Sequence, residues 1–350
     1  MDKIRMGVIG TGGISVVHIW GSKGSKDSEL VAFCDINETT LKKKGDEFDI
    51  PDKYRFTKHI DLIKCPEVDA VSISTPNNVH FKIAMDAVKH KKPFALEKPV
   101  TMTYDEAKKL NAAALKAGVP NMVCFSYRFK AAARFAKSIV ESGQLGNIRH
   151  VYGQYLQSSC LSEHTPLIWR LQKEIAGSGV HGDLGCHLID LIRFITGKDY
   201  VKVCAHADTF IKRRKKIGSD EYGDVDVDDF CHVLFGLEGG ASGTLCTSRY
   251  AYARGNYQRL EIYGEKGALI YNLEDGDSIE VCAGDVYRDA KAFVKLPIPH
   301  RFNTEQMQSF FDIINNKGDG LAATMADGEI NQKVLCAAIE SFENEKWVYL

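Results

Sequence analysis

A strand that runs straight into a glycine turn constrains this chain more than any other stretch of it. Residues 6–9 are an apolar run, and they lead into Gly10-Thr11-Gly12-Gly13-Ile14-Ser15. In that setting Gly10 permits a tight turn and Gly12 lets a pyrophosphate approach the backbone. The helix that follows offers unpaired N–H groups and the positive end of its dipole. The glycine pattern alone recurs in many folds. A strand before it and a helix-like segment after it supply the context in which it cradles phosphates. Ser15 takes the third motif position, where helix–strand packing asks for a small side chain. About twenty residues further on, Asp35 closes the apolar run 30–34. A carboxylate there accepts both ribose hydroxyls of an adenosine and repels a 2′-phosphate, so NAD is expected rather than NADP. The competing reading is a glycine turn and a surface Asp in a nucleotide-free α/β domain.

The rhythm of the chain agrees with a dinucleotide domain. Short apolar runs at 6–9, 30–34, 70–74, 94–96 and 122–125 read as strands buried on both faces. Helix-period segments lie between them, at 80–90 and 104–117 among others. Strand–helix–strand alternation with short links predicts a parallel, doubly wound sheet over residues 1–125, a Rossmann domain. From 126 the pattern changes. A helix near 130–142 and a strand at 149–156 precede a long connection, 160–180, without clear periodicity. A strong helix is predicted over 183–196, stopped by Gly197. Strand-like stretches follow at 201–210, 230–237, 241–249, 258–263, 268–272 and 279–282, and helices at 304–315 and 327–344. Residues 126–350 are therefore expected to form an α+β domain with a large, mostly antiparallel open sheet.

Composition narrows the partners. Lys and Arg number 45 against 46 Asp and Glu, a net charge of −1, which argues against nucleic-acid binding driven by bulk charge. The basic run 212–216 (KRRKK) reads as a solvated loop or edge-strand guard. No apolar run reaches the ~18 residues of a membrane span, and the first residues carry no signal-peptide core, so a cytoplasmic protein is expected. Ten cysteines are scattered without a C-x-x-C pair and read as small buried hydrophobes.

Chemistry-bearing residues gather at the ends of the predicted strands. Thr75-Pro76-Asn77-Asn78-Val79-His80 follows the strand at 70–74, where ligands of open α/β sheets bind; an ordinary turn is the alternative. Leu96-Glu97-Lys98-Pro99 follows the next strand. A partly desolvated Lys98 near a nicotinamide can polarise a substrate oxygen or relay a proton; a surface salt pair is the alternative. In the segment 179–190 (GVHGDLGCHLID), Asp183 and His187 stand four apart on the predicted helix, so their side chains are neighbours. They suit an acid–base pair in which His187 takes a hydroxyl proton. A metal site would want further ligands at fixed spacing, and no H-E-x-x-H or C-x-x-C is present. A purely structural His–Asp pair stays open as well.

GTGGIS, the Asp at the end of the second strand, TPNNVH, EKP, Tyr127-Arg128-Phe129 and GDLGCHLIDL, in this order, resemble the glucose–fructose oxidoreductase / inositol dehydrogenase (Gfo/Idh/MocA) family over essentially the whole chain. The resemblance implies NAD(P)-dependent oxidation or reduction at a secondary alcohol carbon of a sugar, glycoside or cyclitol. It implies that Lys98 contacts cofactor ribose and substrate hydroxyl, and that Asp183 and His187 are catalytic. By the same likeness Asn77 and His80 belong to the cofactor-side loop, and Trp169-Arg170 to a pair that reaches nicotinamide or substrate. Gly10, Thr11, Gly12, Gly13, Ile14, Asp35, Thr75, Pro76 and Glu97 complete the expected cofactor site. Tyr127, Arg128, Tyr155 and Arg170 are expected beside Lys98, Asp183 and His187 around a polyhydroxylated ligand, with no metal. His181 departs from the family pattern, and its place is expected at the pocket rim or in solvent. A homodimer or homotetramer through the C-terminal sheet is implied too. Alternatives are an enzyme that retains NAD and cleaves glycosides through a transient keto sugar, a non-catalytic NAD-binding regulator, and a metal-dependent hydrolase centred on Asp183 and His187.

Overall fold

The structure is a computed structural model, and it describes residues 3–274, 278–284, 289 and 291–350. The chain divides into two compact units, one of residues 1–125 with 304–330, the other of 126–303 with 331–350. The first boundary stands where the sequence rhythm changes. The segment 304–330 differs from the expected 126–350 domain: it packs with the first unit.

The first unit holds a parallel sheet of β1 (Ile4–Ile9), β2 (Ser28–Cys34), β3 (Arg55–Phe56), β4 (Ala70–Ile73), β5 (Phe94–Leu96) and β6 (Asn121–Val123), in the order β3-β2-β1-β4-β5-β6. Its central strands are buried on both faces: the adjacent pairs Val8 and Ile9, Ala70 and Val71, and Phe94 and Ala95, whose members point to opposite faces, are all buried. The order reverses at β1, which pairs with β2 on one side and β4 on the other. The carboxyl ends of β1 and β4 therefore open a crevice at the topological switch point. Helix Tyr104–Ala117 shows how local signals set the intervening elements. Thr103 and Glu106 form a capping box at its start, and Gly118 ends it in the left-handed region.

The second unit is built on a sheet of nine strands among the described residues. They are β7 (Ile148–Leu156), β8 (Tyr200–Asp208), β11 (Phe230–Leu237), β12 (Ser242–Ser248), β13 (Tyr257–Gly264), β14 (Gly267–Asn272), β15 (Ser278–Ala283), β16 (Val294–Pro297) and β17 (Val348–Tyr349). All neighbours pair antiparallel except β12 with β7. Along β7 burial alternates, with Val151, Gly153 and Tyr155 inward and His150, Tyr152 and Gln154 outward. The inward face carries helix Cys186–Thr196, whose Leu188, Leu191, Ile192 and Ile195 are fully buried. Each such side chain contributes about 1.5–3 kcal/mol on leaving water. The helix rests above Gly153, where an added Cβ would lie 3.4 Å from Ile192.

Two expectations are corrected in this unit. The short ribbon of β9 (Arg213–Lys215) and β10 (Tyr222–Asp224) contains the basic run, and Arg214 within it is not solvated. It is fully buried and donates to the carbonyls of Cys160, Ser162 and Thr165, so it clamps the long connection from inside. The predicted helix 183–196 begins only at Cys186; residues His181–Gly185 form a wider π-helical turn. Among the described residues no helix is long and apolar enough to cross a membrane.

Candidate active site

The glycine turn has the shape a phosphate cradle needs. Gly10 sits at φ +86°, and a Cβ there would lie 2.7 Å from the Ser74 carbonyl oxygen, so both conformation and space require glycine. No atom lies within 4 Å of where a Cβ would stand on Gly12 or Gly13. Helix Ser15–Gly24 follows, its N-cap residue Ile14 offers no side-chain cap, and its first turn holds no acid. Ser15 is fully buried and its hydroxyl donates to the Gly12 carbonyl at 2.5 Å, so the small third residue also ties the loop down. The Thr11 backbone N–H and hydroxyl both donate to one Asp35 oxygen at 2.8 Å, and the Asn37 N–H donates to the other at 2.9 Å. Asp35 thus has a set orientation at the end of β2. The Thr75 hydroxyl, beside Gly10, is buried and has no hydrogen-bond partner among the described residues. An open glycine surface, an uncapped helix start, an oriented carboxylate and an orphaned hydroxyl fit a dinucleotide.

Two neighbouring loops are bound to each other. Pro76 is exposed and Asn77 half-buried, at the start of the turn Asn77–Val79. His80, expected on the cofactor side, is fully buried. Its ring nitrogens face the carbonyls of Pro99 at 2.8 Å and Thr75 at 2.9 Å. Burial pushes its pKa down. His80 therefore joins the two loops and presents no surface to a ligand. Glu97 likewise points inward, to His18 at 2.9 Å, whose other ring nitrogen meets the Ser72 hydroxyl. Burial works to raise the Glu97 pKa, but the His18 hydrogen bond and the charges of His18 and Lys98 outweigh it and hold the carboxyl below its ordinary value. Glu97 anchors the loop that carries half-buried Lys98 at a cis Lys98–Pro99 bond. His18 carried no signal in the sequence beyond its position on the first helix.

In the second unit the turn before helix Cys186–Thr196 is held from two sides. Asp228 accepts the N–H groups of Gly179 and His181, both at 2.7 Å. A Cβ on Gly179 would lie 2.0 Å from the Asp228 carbonyl oxygen, so glycine is what lets the strands and the turn close up. Arg249, at the end of β12, donates to the Asp183 carboxylate at 3.0 Å. The Arg170 guanidinium lies 3.9 Å from the same carboxylate oxygen and covers the Trp169 ring at 4.3 Å. His181, expected at the rim, is instead fully buried. A Cβ on Gly185 would press on its ring, and burial lowers its pKa. Among the described residues, Asp183 and His187 belong to no group of three metal-ligating atoms.

His187 is nearly enclosed. The Tyr127 ring meets it edge-on at 4.7 Å, and the Tyr155 ring lies 6.2 Å away. The two tyrosine hydroxyls are 2.5 Å apart, and both reach the Asn256 side-chain oxygen. Gln157 donates to Tyr155 and Asn256. Burial, and then Tyr127, push the Tyr155 pKa upward, so the Tyr155 hydroxyl stays protonated. Arg128, expected on the ligand, is committed elsewhere. It makes a two-point ion pair with Asp190 at 2.8 and 2.6 Å, with both side chains buried. Asp183, Arg170, Trp169, His187, Tyr127 and Tyr155 are thus assembled on one unit, and Arg249, Asp228, Gln157 and Asn256 join them. These last four come from distant strands and loops with no local motif.

Residues 4–125 match the oxidoreductase family with an NAD-binding Rossmann fold, and residues 133–270 match the GFO/IDH/MocA C-terminal domain. The chain is 31% identical to levoglucosan dehydrogenase of Pseudarthrobacter phenanthrenivorans over 82% of its length and 81% of that protein. It is 26% identical to myo-inositol 2-dehydrogenase of Thermotoga maritima over 99% of its length and 98% of that protein. The solved structure of levoglucosan dehydrogenase with NADH and L-sorbose superposes with a TM-score of 0.90 at 28% identity, covering 100% of this chain and 99% of that one. Glycine cradle, oriented Asp35, Lys98 loop and Asp183–His187 turn thus stand in a chain that belongs to the GFO/IDH/MocA family of NAD-dependent oxidoreductases, among dehydrogenases of sugars and cyclitols.

Proposed function

We propose that the protein oxidises a secondary alcohol carbon of a sugar, anhydrosugar or cyclitol, with NAD as the acceptor. The observation that carries this reading is the turn 179–187. It presents an Asp183 carboxylate fixed by Arg249 and a His187 imidazole walled by hydroxyl-bearing tyrosines. NAD, when bound, supplies the hydride acceptor; Gly10, Gly12, Gly13, Asp35, Thr75 and Asn77 are the residues that would hold it. The imidazole of His187 takes the hydroxyl proton as the alcohol is oxidised. The Lys98 ammonium stabilises the developing alkoxide. Asp183 supports the imidazolium that forms. Tyr127, Tyr155, Gln157 and Asn256 are hydrogen-bonding groups suited to a ligand with several hydroxyls, and the names of the relatives favour the same class. Arg170 and Trp169 border the Asp183 side.

The test is turnover with NAD across a panel of pyranoses, anhydrosugars and inositols, with Lys98→Ala and His187→Ala measured beside the wild type in single turnover. Hydride transfer is expected to fall by at least about 100-fold in each variant. Near-normal rates in both would remove the assignment. Net NADH formation separates a dehydrogenase from an enzyme that oxidises its sugar only transiently.

The outward face of the large sheet supports self-association. Tyr152 on β7 and Leu234 on β11 stand exposed on either side of Thr244 of β12, a face that a second copy of the chain would cover. Light scattering should give a dimer or tetramer, and a monomer at micromolar concentration would refute this.

A further inference from the structure

Asp183 needs a fixed position if it is to serve His187. A π-helical turn is a rare departure from the α-helix, and this one holds Gly182 and Gly185 and follows Gly179 by two residues. Three contacts converge on the turn from a single side chain. The Arg249 guanidinium donates to the Asp183 carboxylate at 3.0 Å, to the Gly179 carbonyl at 3.4 Å and to the Arg170 carbonyl at 3.5 Å. It therefore joins the carboxylate, the chain two residues before the π-helical turn and the segment that carries Trp169 and Arg170.

The guanidinium is itself enclosed. Arg249 is 3% exposed, at the end of β12. Its backbone N–H donates to the Asp229 carbonyl, and its carbonyl accepts from Cys160. A planar group with a fixed fork of donors, locked at its base, can impose a direction on a carboxylate that a lysine could only attract.

We infer that Arg249 is a positioning residue for the dehydrogenase reaction: it aims the Asp183 carboxylate and clamps the 170 and 179 segments around it. This rests on the function proposed above. Arg249 acts through Asp183 and takes no proton. Asp228 holds the same turn from its backbone side, at the N–H groups of Gly179 and His181, and does not contact the carboxylate. The two clamps therefore have separable effects: loss of Asp228 loosens the fold of the turn, whereas loss of Arg249 releases the carboxylate.

The experiment uses the full-length enzyme with NAD and the best substrate of the panel. Arg249→Ala, Arg249→Lys, Asp183→Asn and the double variant Arg249→Ala/Asp183→Asn are compared for kcat, KM, NAD affinity and circular dichroism. In Arg249→Ala, kcat is expected to fall by about 100-fold, the scale of a misplaced catalytic group, with NAD affinity within about threefold of wild type. Adding guanidinium ion at millimolar concentration should restore part of kcat to Arg249→Ala and none to Asp183→Asn. The double variant should be no slower than Asp183→Asn, because the two residues act as one unit. Arg249→Lys keeps a cation but has one nitrogen, so it cannot hold the Asp183 carboxylate and the Arg170 carbonyl as the two guanidinium nitrogens do, and kcat should fall about tenfold. If Arg249→Ala does not fold, Arg249→Lys decides by its kcat. Wild-type kcat in a folded Arg249 variant, or full additivity in the double variant, overturns the inference. A wild-type enzyme that turns over nothing in the panel overturns the proposed function instead, and the two failures are read from different samples.

Discussion

Removing one half of the Arg128–Asp190 pair should cost the second unit a large part of its stability. Both side chains are buried, at 5% and 2% exposure, and they meet through two parallel hydrogen bonds. In Asp190→Ala the guanidinium stays behind without its two-point ion pair, above the Phe194 ring at 5.0 Å. Breaking such a pair from one side costs about 3–5 kcal/mol, whereas replacing both members with apolar residues of similar volume is often neutral. At about 1.4 kcal/mol per decade, the loss amounts to roughly two to three and a half powers of ten in the folding equilibrium. The assay is urea unfolding followed by fluorescence of Trp169 and Trp347, which lie in the second unit, in a Trp20→Phe background that silences the first unit. Asp190→Ala should lose about 3–5 kcal/mol, and Arg128→Met/Asp190→Leu should recover most of it. The pair also has a functional reach. Arg128 follows Tyr127, whose ring meets His187, and Asp190 sits one turn after His187 on the helix. Activity of Asp190→Ala should therefore fall even at a temperature where it stays folded. A loss below about 1 kcal/mol, the range of an exposed pair, would refute the reasoning.

Two further outcomes follow from the same structure. Asp35→Ser removes a carboxylate already oriented by Thr11 and Asn37, and should raise kcat/KM for NADP relative to NAD by about 10–100-fold; an unchanged ratio would deny Asp35 its role. His80 and His181 are buried, and burial lowers both pKa values below the ordinary 6.5. The folded chain keeps these rings neutral while the unfolded chain protonates them, so the stability they contribute is complete above pH 6.5 and lost as pH falls below it. The slope is up to about 1.4 kcal/mol per pH unit for each ring. His181→Leu should flatten the unfolding free energy measured between pH 7 and pH 5, and an unaltered slope would contradict the assignment.

The first unit was legible because its signals are local. Strand, glycine turn and helix follow one another in a few residues, and the phosphate-binding geometry is a property of that short piece of backbone. The Asp at the end of β2 follows from the βαβ repeat length. The apolar spacing of helix 186–196 and the alternation along β7 were readable for the same reason: a helix or a strand repeats on itself. The sequence also marked Lys98, Asp183 and His187 by their short motifs.

Tertiary structure alone decided which polar side chains face a ligand and which hold the frame. Arg128 and His80 stand inside motifs that promise contact, yet each found a buried partner, Asp190 for one and the carbonyls of Thr75 and Pro99 for the other. Arg214 sits in a run of cations and is nevertheless fully buried among carbonyls. Arg249 and Asp228 lie 66 and 45 positions beyond Asp183 and act on its turn only because β12 and the loop before β11 bring them there. The physical reason is common to all five. The free energy of a charged or polar group depends on what replaces its water, and the replacement is supplied by residues that are neighbours in space and strangers in sequence.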